Sequence, residues 1–220
     1  MEIVRHPRAR AARLSVDPST GKVRLTVPKR MALATALRWA EEKRDWIAAQ
    51  RKNLPQPRPF VHGARLPVGD DLLTIDWDAR RPRTIKVQGD VLLCGGPADG
   101  LSRRIEAWLR RTALALLSEE TAFYAAKAAV KVAKVAIGDP KSRWGSCASS
   151  GVIRYSWRLV LAPTHVRRAT VAHEVAHRVH MHHGPDFHAL VAELYGSDPI
   201  RSRAWLKAEG AGLHWFGREG

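Results

Sequence analysis

HEVAHRVHMHHGPDFH, residues 173–188, holds six of the chain's ten histidines in sixteen positions. Imidazole is the commonest metal ligand, yet six are more than one four-coordinate ion can take. Spacing begins to sort them. His173 and His177 are four residues apart, so on a helix they share a face one turn apart and can converge on one zinc ion. Glu174 points about 100° away around the same helix, which puts a carboxylate beside the metal, where it can act on a zinc-bound water. His180 returns to the face of His173, but seven residues rise about 10.5 Å along the axis. Zinc–nitrogen bonds are only about 2.0–2.1 Å, so three ligands spread that far on one straight helix converge poorly. A third ligand is therefore expected across the break at Gly184-Pro185, with His182, His183 and His188 all open on spacing alone.

The break divides two expected helices. One runs from about 164 to 181 and carries the first histidines; the other runs from Phe187 to Tyr195, with Pro185 suited to its first turn and Gly196 to its stop. Upstream, Val152–Trp157 reads as a strand and a candidate edge for an extended peptide, residues 130–137 as another strand, and 140–150 as a Gly/Ser-rich loop. Leu101, Ile105, Trp108, Leu109, Thr112 and Leu116 follow helical spacing and predict a long helix over 101–126. Leu72–Trp77, Thr84–Val87 and Val91–Cys94 read as strands. The N-terminal stretch shows two alternating runs, 12–16 and 22–27, joined by Asp17-Pro-Ser-Thr-Gly21, the pattern of a hairpin. A helix over 32–51 follows, then the stiff connector Pro55–Pro59.

Net charge is +16, and residues 1–60 alone carry fourteen Lys/Arg against five acids. Residues 61–134 add +3 and residues 135–220 add +4, so the excess sits at the front. Such a front attracts nucleic acid, although a solvated basic face explains it equally well. Two cysteines, Cys94 and Cys147, are too few for a disulfide framework, no stretch approaches a membrane span, and the first residues lack an apolar leader core. A soluble cytoplasmic protein is expected.

Residues 141–188 resemble the YgjP-like zinc metallopeptidase domain, akin to the SprT-like zincins. The resemblance rests on Ser142–Cys147 (SRWGSC), Trp157–Pro163 (WRLVLAP), His173–His177 and His182–His188 (HHGPDFH), in that order. The family's third ligand falls on His183; the departures are His182 for Asn, Gly184 for Ser and His188 for Trp. His188, standing where the family packs a large aromatic, is the residue that can compete with His183 for the metal. Metzincins share the His177-to-His183 interval, but His180 stands where they need a turn glycine, and no Met-turn follows.

The resemblance implies an HExxH-type, gluzincin-like zinc metallopeptidase that hydrolyses peptide bonds, with Zn2+ held by His173, His177 and His183 and with Glu174 as general base. The expected fold is α+β: a minimal zincin of active-site helix, small sheet, long helix and backing helix over 101–220, and a basic, strand-rich N-terminal extension over 1–100. The expected partner is a protein or peptide substrate, without a membrane. The competing expectation is a nucleic-acid-associated module, bound through its basic front, whose zinc is structural or vestigial and which acts on DNA-bound proteins if it acts at all. Tyr155, Arg158, His165 and Tyr195 are possible oxyanion donors, Glu193 a possible partner for a histidine, Arg143 and Trp144 possible shapers of the site, and Cys147 a possible ligand. For each of these a purely structural role weighs more.

Overall fold

In the computed structural model, which describes residues 1–219, contacts divide the chain into two compact units, Met1–Gln56 and a larger one beginning at Pro57. The expected boundary near residue 100 falls inside the larger unit.

The first unit contains β1 (Glu2–His6), β2 (Arg13–Val16), β3 (Val23–Pro28), α1 (Leu33–Glu42) and α2 (Arg44–Lys52). The expected hairpin is β2 with β3, antiparallel, Val16 opposite Val23. Asp17 shapes its turn: the carboxylate accepts from the Ser19 N–H at 2.8 Å and the carbonyl from the Gly21 N–H at 2.7 Å. Gly21 sits there at φ 71°, a conformation glycine takes without steric cost. β1, not foreseen, pairs parallel to the other edge of β3. The single helix expected over 32–51 is two, parting at Lys43, which leaves the helical region at ψ 16°. Leu25 and Val27 of β3 pack with Ala36 and Ala40 of α1 in a small core.

The larger unit opens with β4 (Arg65–Val68), β5 (Asp71–Trp77), β6 (Lys86–Gln88) and β7 (Val91–Cys94), in the order β4-β5-β7-β6. The long helix α3 (Leu101–Lys127) follows, then β8 (Lys134–Gly138), β9 (Gly145–Cys147) and β10 (Val152–Ser156). A 3-10 segment over Trp157–Leu161 leads into α4 (Thr164–Ala176), α5 (Pro185–Tyr195) and α6 (Ile200–Leu213). The fold is thus mixed α+β, small sheets with six α-helices among the described residues. Leu66, Ile75 and Leu92 of the first sheet share one core with Ile105 and Leu109 of α3 and Val175 of α4. Residues on both sides of position 100 thus contribute to that core.

β10 is not the edge the sequence led one to expect. It lies between β8, parallel, and β9, antiparallel, so its backbone is paired on both sides and the edge beside α4 is β9. The strand also ends at Ser156, where the side chain accepts from the Arg158 N–H and starts the 3-10 turn.

Arg158 is buried and joins three parts of this unit. Its guanidinium donates to the Asp139 carboxylate at 2.7 and 3.3 Å and to the carbonyls of Leu213 and Phe216 at 2.8 and 3.2 Å. Burial alone pushes the Asp139 carboxyl up, but hydrogen bonds from Arg158 and Lys141 outweigh it and hold it at about 2. Arg158→Met removes one partner of a buried pair and strands two carbonyls, so it should cost about 3–5 kcal/mol in urea unfolding. A loss below about 1 kcal/mol, the range of an exposed pair, would show that the network does not hold these segments. Cys94 and Cys147 are free thiols. No helix among the described residues is long and apolar enough to cross a membrane.

Candidate metal centre

α4 is fixed over its first turn before its histidines come into play. At the start, Asp70 in the β4–β5 turn accepts from the Thr164 N–H at 3.0 Å, answering one of the helix's free amides with a carboxylate. One turn on, the buried Arg167 guanidinium grips Glu120 of α3 with three contacts of 2.9–3.1 Å. Val171, Ala172, Val175 and Ala176 are buried in the core, which leaves His173 half-buried on the remaining face.

The helix stops at Ala176, five residues earlier than expected, with His177 as its C-cap. The N–H groups of Arg178 and Val179 bond back to the carbonyls of Val175 and Ala176 at 2.8 and 3.0 Å, a three-residue spacing that tightens the last turn. The chain therefore turns away right after His177, and the following residues bring His183 back toward the helix. α5 begins at Pro185, as Gly184-Pro185 predicts, and ends at Gly196 with φ 89°.

His173, His177 and His183 come together. One nitrogen from each lies within 4.8 Å of the others, a group able to hold a metal ion. The Nε2 atoms of His173 and His183 are 3.2 Å apart. Two nitrogens on a tetrahedral zinc, with bonds of about 2.0–2.1 Å, stand about 3.3 Å apart, so this spacing fits. His177 Nδ1 lies 3.1 Å from the His180 carbonyl oxygen, which can only accept; Nδ1 thus carries the proton and Nε2 keeps its lone pair. Burial pushes the His173 imidazole down to about 4, with His177 and His183 adding to the effect, and burial likewise lowers His177. Both rings are then neutral at pH 7, the form that binds a metal. Phe187, buried at the start of α5, packs against all three imidazoles with ring centroids 4.5–4.9 Å away.

The other histidines stand apart. His180 contributes its carbonyl, His182 is exposed, and the His188 ring centroid lies 6.3 Å from that of His183, outside the group of three. His180, expected on the helix, lies beyond its end at Ala176.

Glu174 is 6% exposed. Burial pushes its carboxyl up to about 7, and the charge of Arg143 offsets part of that. β9 lies directly on it: a Cβ on Gly145 would stand 2.5 Å from Oε1, 2.6 Å from Cγ and 2.7 Å from Cδ. Only glycine lets the strand approach this closely. Gly145→Ala should displace the carboxylate and, if Glu174 handles the reacting proton, lower kcat about 10²-fold with metal content unchanged. Unaltered kcat would mean the carboxylate's position is immaterial.

None of the proposed oxyanion donors lies in this group. The Tyr155 hydroxyl is buried 3.0 Å from that of Thr121, Arg158 is held by Asp139, and the Tyr195 hydroxyl meets that of Ser202 at 3.5 Å. His165 and Glu193 are exposed, and Cys147 donates to its neighbour's carbonyl at 3.6 Å. Arg143 and Trp144 do line a cavity of about 290 Å³ beside His173 and Glu174. Its far wall includes Arg203 and Leu206 of α6, a helix the sequence reading missed. Asp198-Pro199 was the available signal: the Asp198 carboxylate accepts from the Ile200 N–H at 2.9 Å, and Pro199 leads into the first turn.

A family model, the YgjP-like metallopeptidase domain, matches residues 10–209. No curated protein and no solved structure matches the chain significantly.

Proposed function

Because the chain belongs to the YgjP-like metallopeptidase family, we propose that it is a zinc-dependent peptidase in which His173, His177 and His183 hold the ion and Glu174 is the general base. The observation that carries this reading is three imidazoles converging within 4.8 Å, next to the buried carboxylate of Glu174 on α4. Three protein ligands leave a fourth position open, which is the pattern of a catalytic rather than a structural site.

A bound zinc ion supplies polarisation of the scissile carbonyl and a water made acidic enough to lose its proton near neutral pH. Glu174 takes that proton on a carboxylate oxygen as the C–O bond forms, and later delivers it to the leaving amine nitrogen as the C–N bond breaks. Its burial suits both steps, since a carboxyl near 7 can accept and release a proton at the same pH. Gly145 keeps the carboxylate in place from above, and the His180 carbonyl holds the His177 ring in one tautomer. β9, the edge strand against Glu174, offers a sheet edge along which an extended peptide can align.

The test is reconstitution. Protein stripped by a chelator and reloaded with equimolar zinc should cleave unstructured peptides, and the stripped protein should not. A zinc-loaded chain that leaves a broad panel of such peptides intact would overturn the peptidase reading.

A further inference from the structure

The cavity between α4 and α6 opens beside the groups assigned to catalysis and has a chemical character of its own. Its body is apolar, formed by Trp144, Val191 and Leu206 among others. Two arginines, Arg143 and Arg203, also line it, and Glu174 is the single carboxylate residue that does so. Arg143 makes no ion pair among the described residues, and its charge acts on Glu174. Arg203 pairs with Asp198 at 3.4 Å, and that pair, exposed on both sides, contributes little and exchanges readily. Its charge acts on His173.

The pocket is also preformed. Trp144 stacks on the buried His214 ring, centroids 5.3 Å apart at 25°. From α6 it meets Gly210, where a Cβ would come within 2.8 Å of the indole. An apolar cavity of about 290 Å³ has room for one side chain, and two guanidinium groups give it a strong preference for negative charge. We propose that this cavity is a specificity pocket for a carboxylate-bearing residue of the substrate next to the scissile bond, with the hydrocarbon part against Trp144, Val191 and Leu206 and the carboxylate on Arg143 and Arg203. The assignment of a scissile bond rests on the peptidase reading; the pocket's selectivity does not. An acidic side chain and a free C-terminus both supply the required carboxylate. A lysine side chain is excluded by like charge.

The experiment uses terminally blocked peptides that are identical except for Glu, Gln or Lys at one variable position, with cleavage sites read by mass spectrometry. Zinc-loaded protein should cleave next to Glu with kcat/KM about tenfold or more above Gln, and Lys should be poorest. Arg203→Glu should reverse the order of Glu and Lys, and Arg143→Gln should narrow the Glu-to-Gln ratio. Peptides that end at the variable position, as free acid or as amide, locate the source of the carboxylate: a preference confined to the free acid assigns the pocket to a chain terminus. In parallel, anisotropy of labelled versions of the same peptides on zinc-loaded Glu174→Gln reports binding without turnover. Binding in the order Glu, Gln, Lys with no cleavage by the wild-type protein would keep the pocket and overturn the peptidase reading. Cleavage or binding indifferent to the variable residue and to the terminus would overturn the pocket and leave the peptidase reading intact. A Glu preference that survives both arginine substitutions would also overturn it.

Discussion

Glu174→Gln is expected to lower kcat for peptide hydrolysis by about two to four orders of magnitude while equimolar zinc stays bound. The substitution keeps the shape of the side chain, so the contact with Gly145 and the packing of α4 survive. It removes a buried carboxylate that can accept a proton beside His173. It also removes a carboxyl whose charged form is disfavoured by burial, as its rise to about 7 shows. The variant should accordingly unfold at a temperature no lower than the parent's. This combination separates a loss of chemistry from a loss of structure. Hydrolysis within a few-fold of the parent would sink the assignment of Glu174 as base, and loss of zinc along with activity would place the residue's role in metal binding instead.

His183→Ala is expected to abolish equimolar zinc binding, whereas His188→Ala, His182→Ala and His180→Ala retain it. Removing a partner that only orients a ligand typically costs about 10–100-fold in affinity, and removing a ligand itself should cost more. His188 is the informative control, because it stands close to His183 and follows it on the next helix, yet lies outside the group whose nitrogens converge. Competition against a chromophoric chelator measures the affinities. If His188→Ala weakened zinc as much as His183→Ala does, the third position would belong to His188 or be shared.

The approach of His173 to His177 was legible because residues four apart on a helix meet through local geometry alone. The α5 start at Pro185 and its stop at Gly196 were legible for the same reason, since both residues constrain their own backbone. His183 was not, because the early end of α4 has no Gly or Pro to announce it; residues 177–181 read as helix until the chain turns. The resemblance to a family, rather than the physics of the residues, pointed to it. The contact of Gly145 with Glu174 and the placement of β10 between β8 and β9 depend on elements distant in sequence, and pattern cannot reveal which strand takes the middle. The α6 wall of the cavity went unread because Gly210 and Gly212 lower the helical propensity of that segment.

The His180 carbonyl that fixes the His177 ring is main chain, and this bears on how the site can vary. Exchanging the side chain at 180 leaves the acceptor in place, so the position tolerates almost any residue while remaining indispensable to the ring beside it. Proline is the exception, since it would remove the N–H that bonds to Ala176 and with it the turn that presents the oxygen. A mutational survey of side chains would score this position as neutral and so miss one of the contacts that hold the centre together.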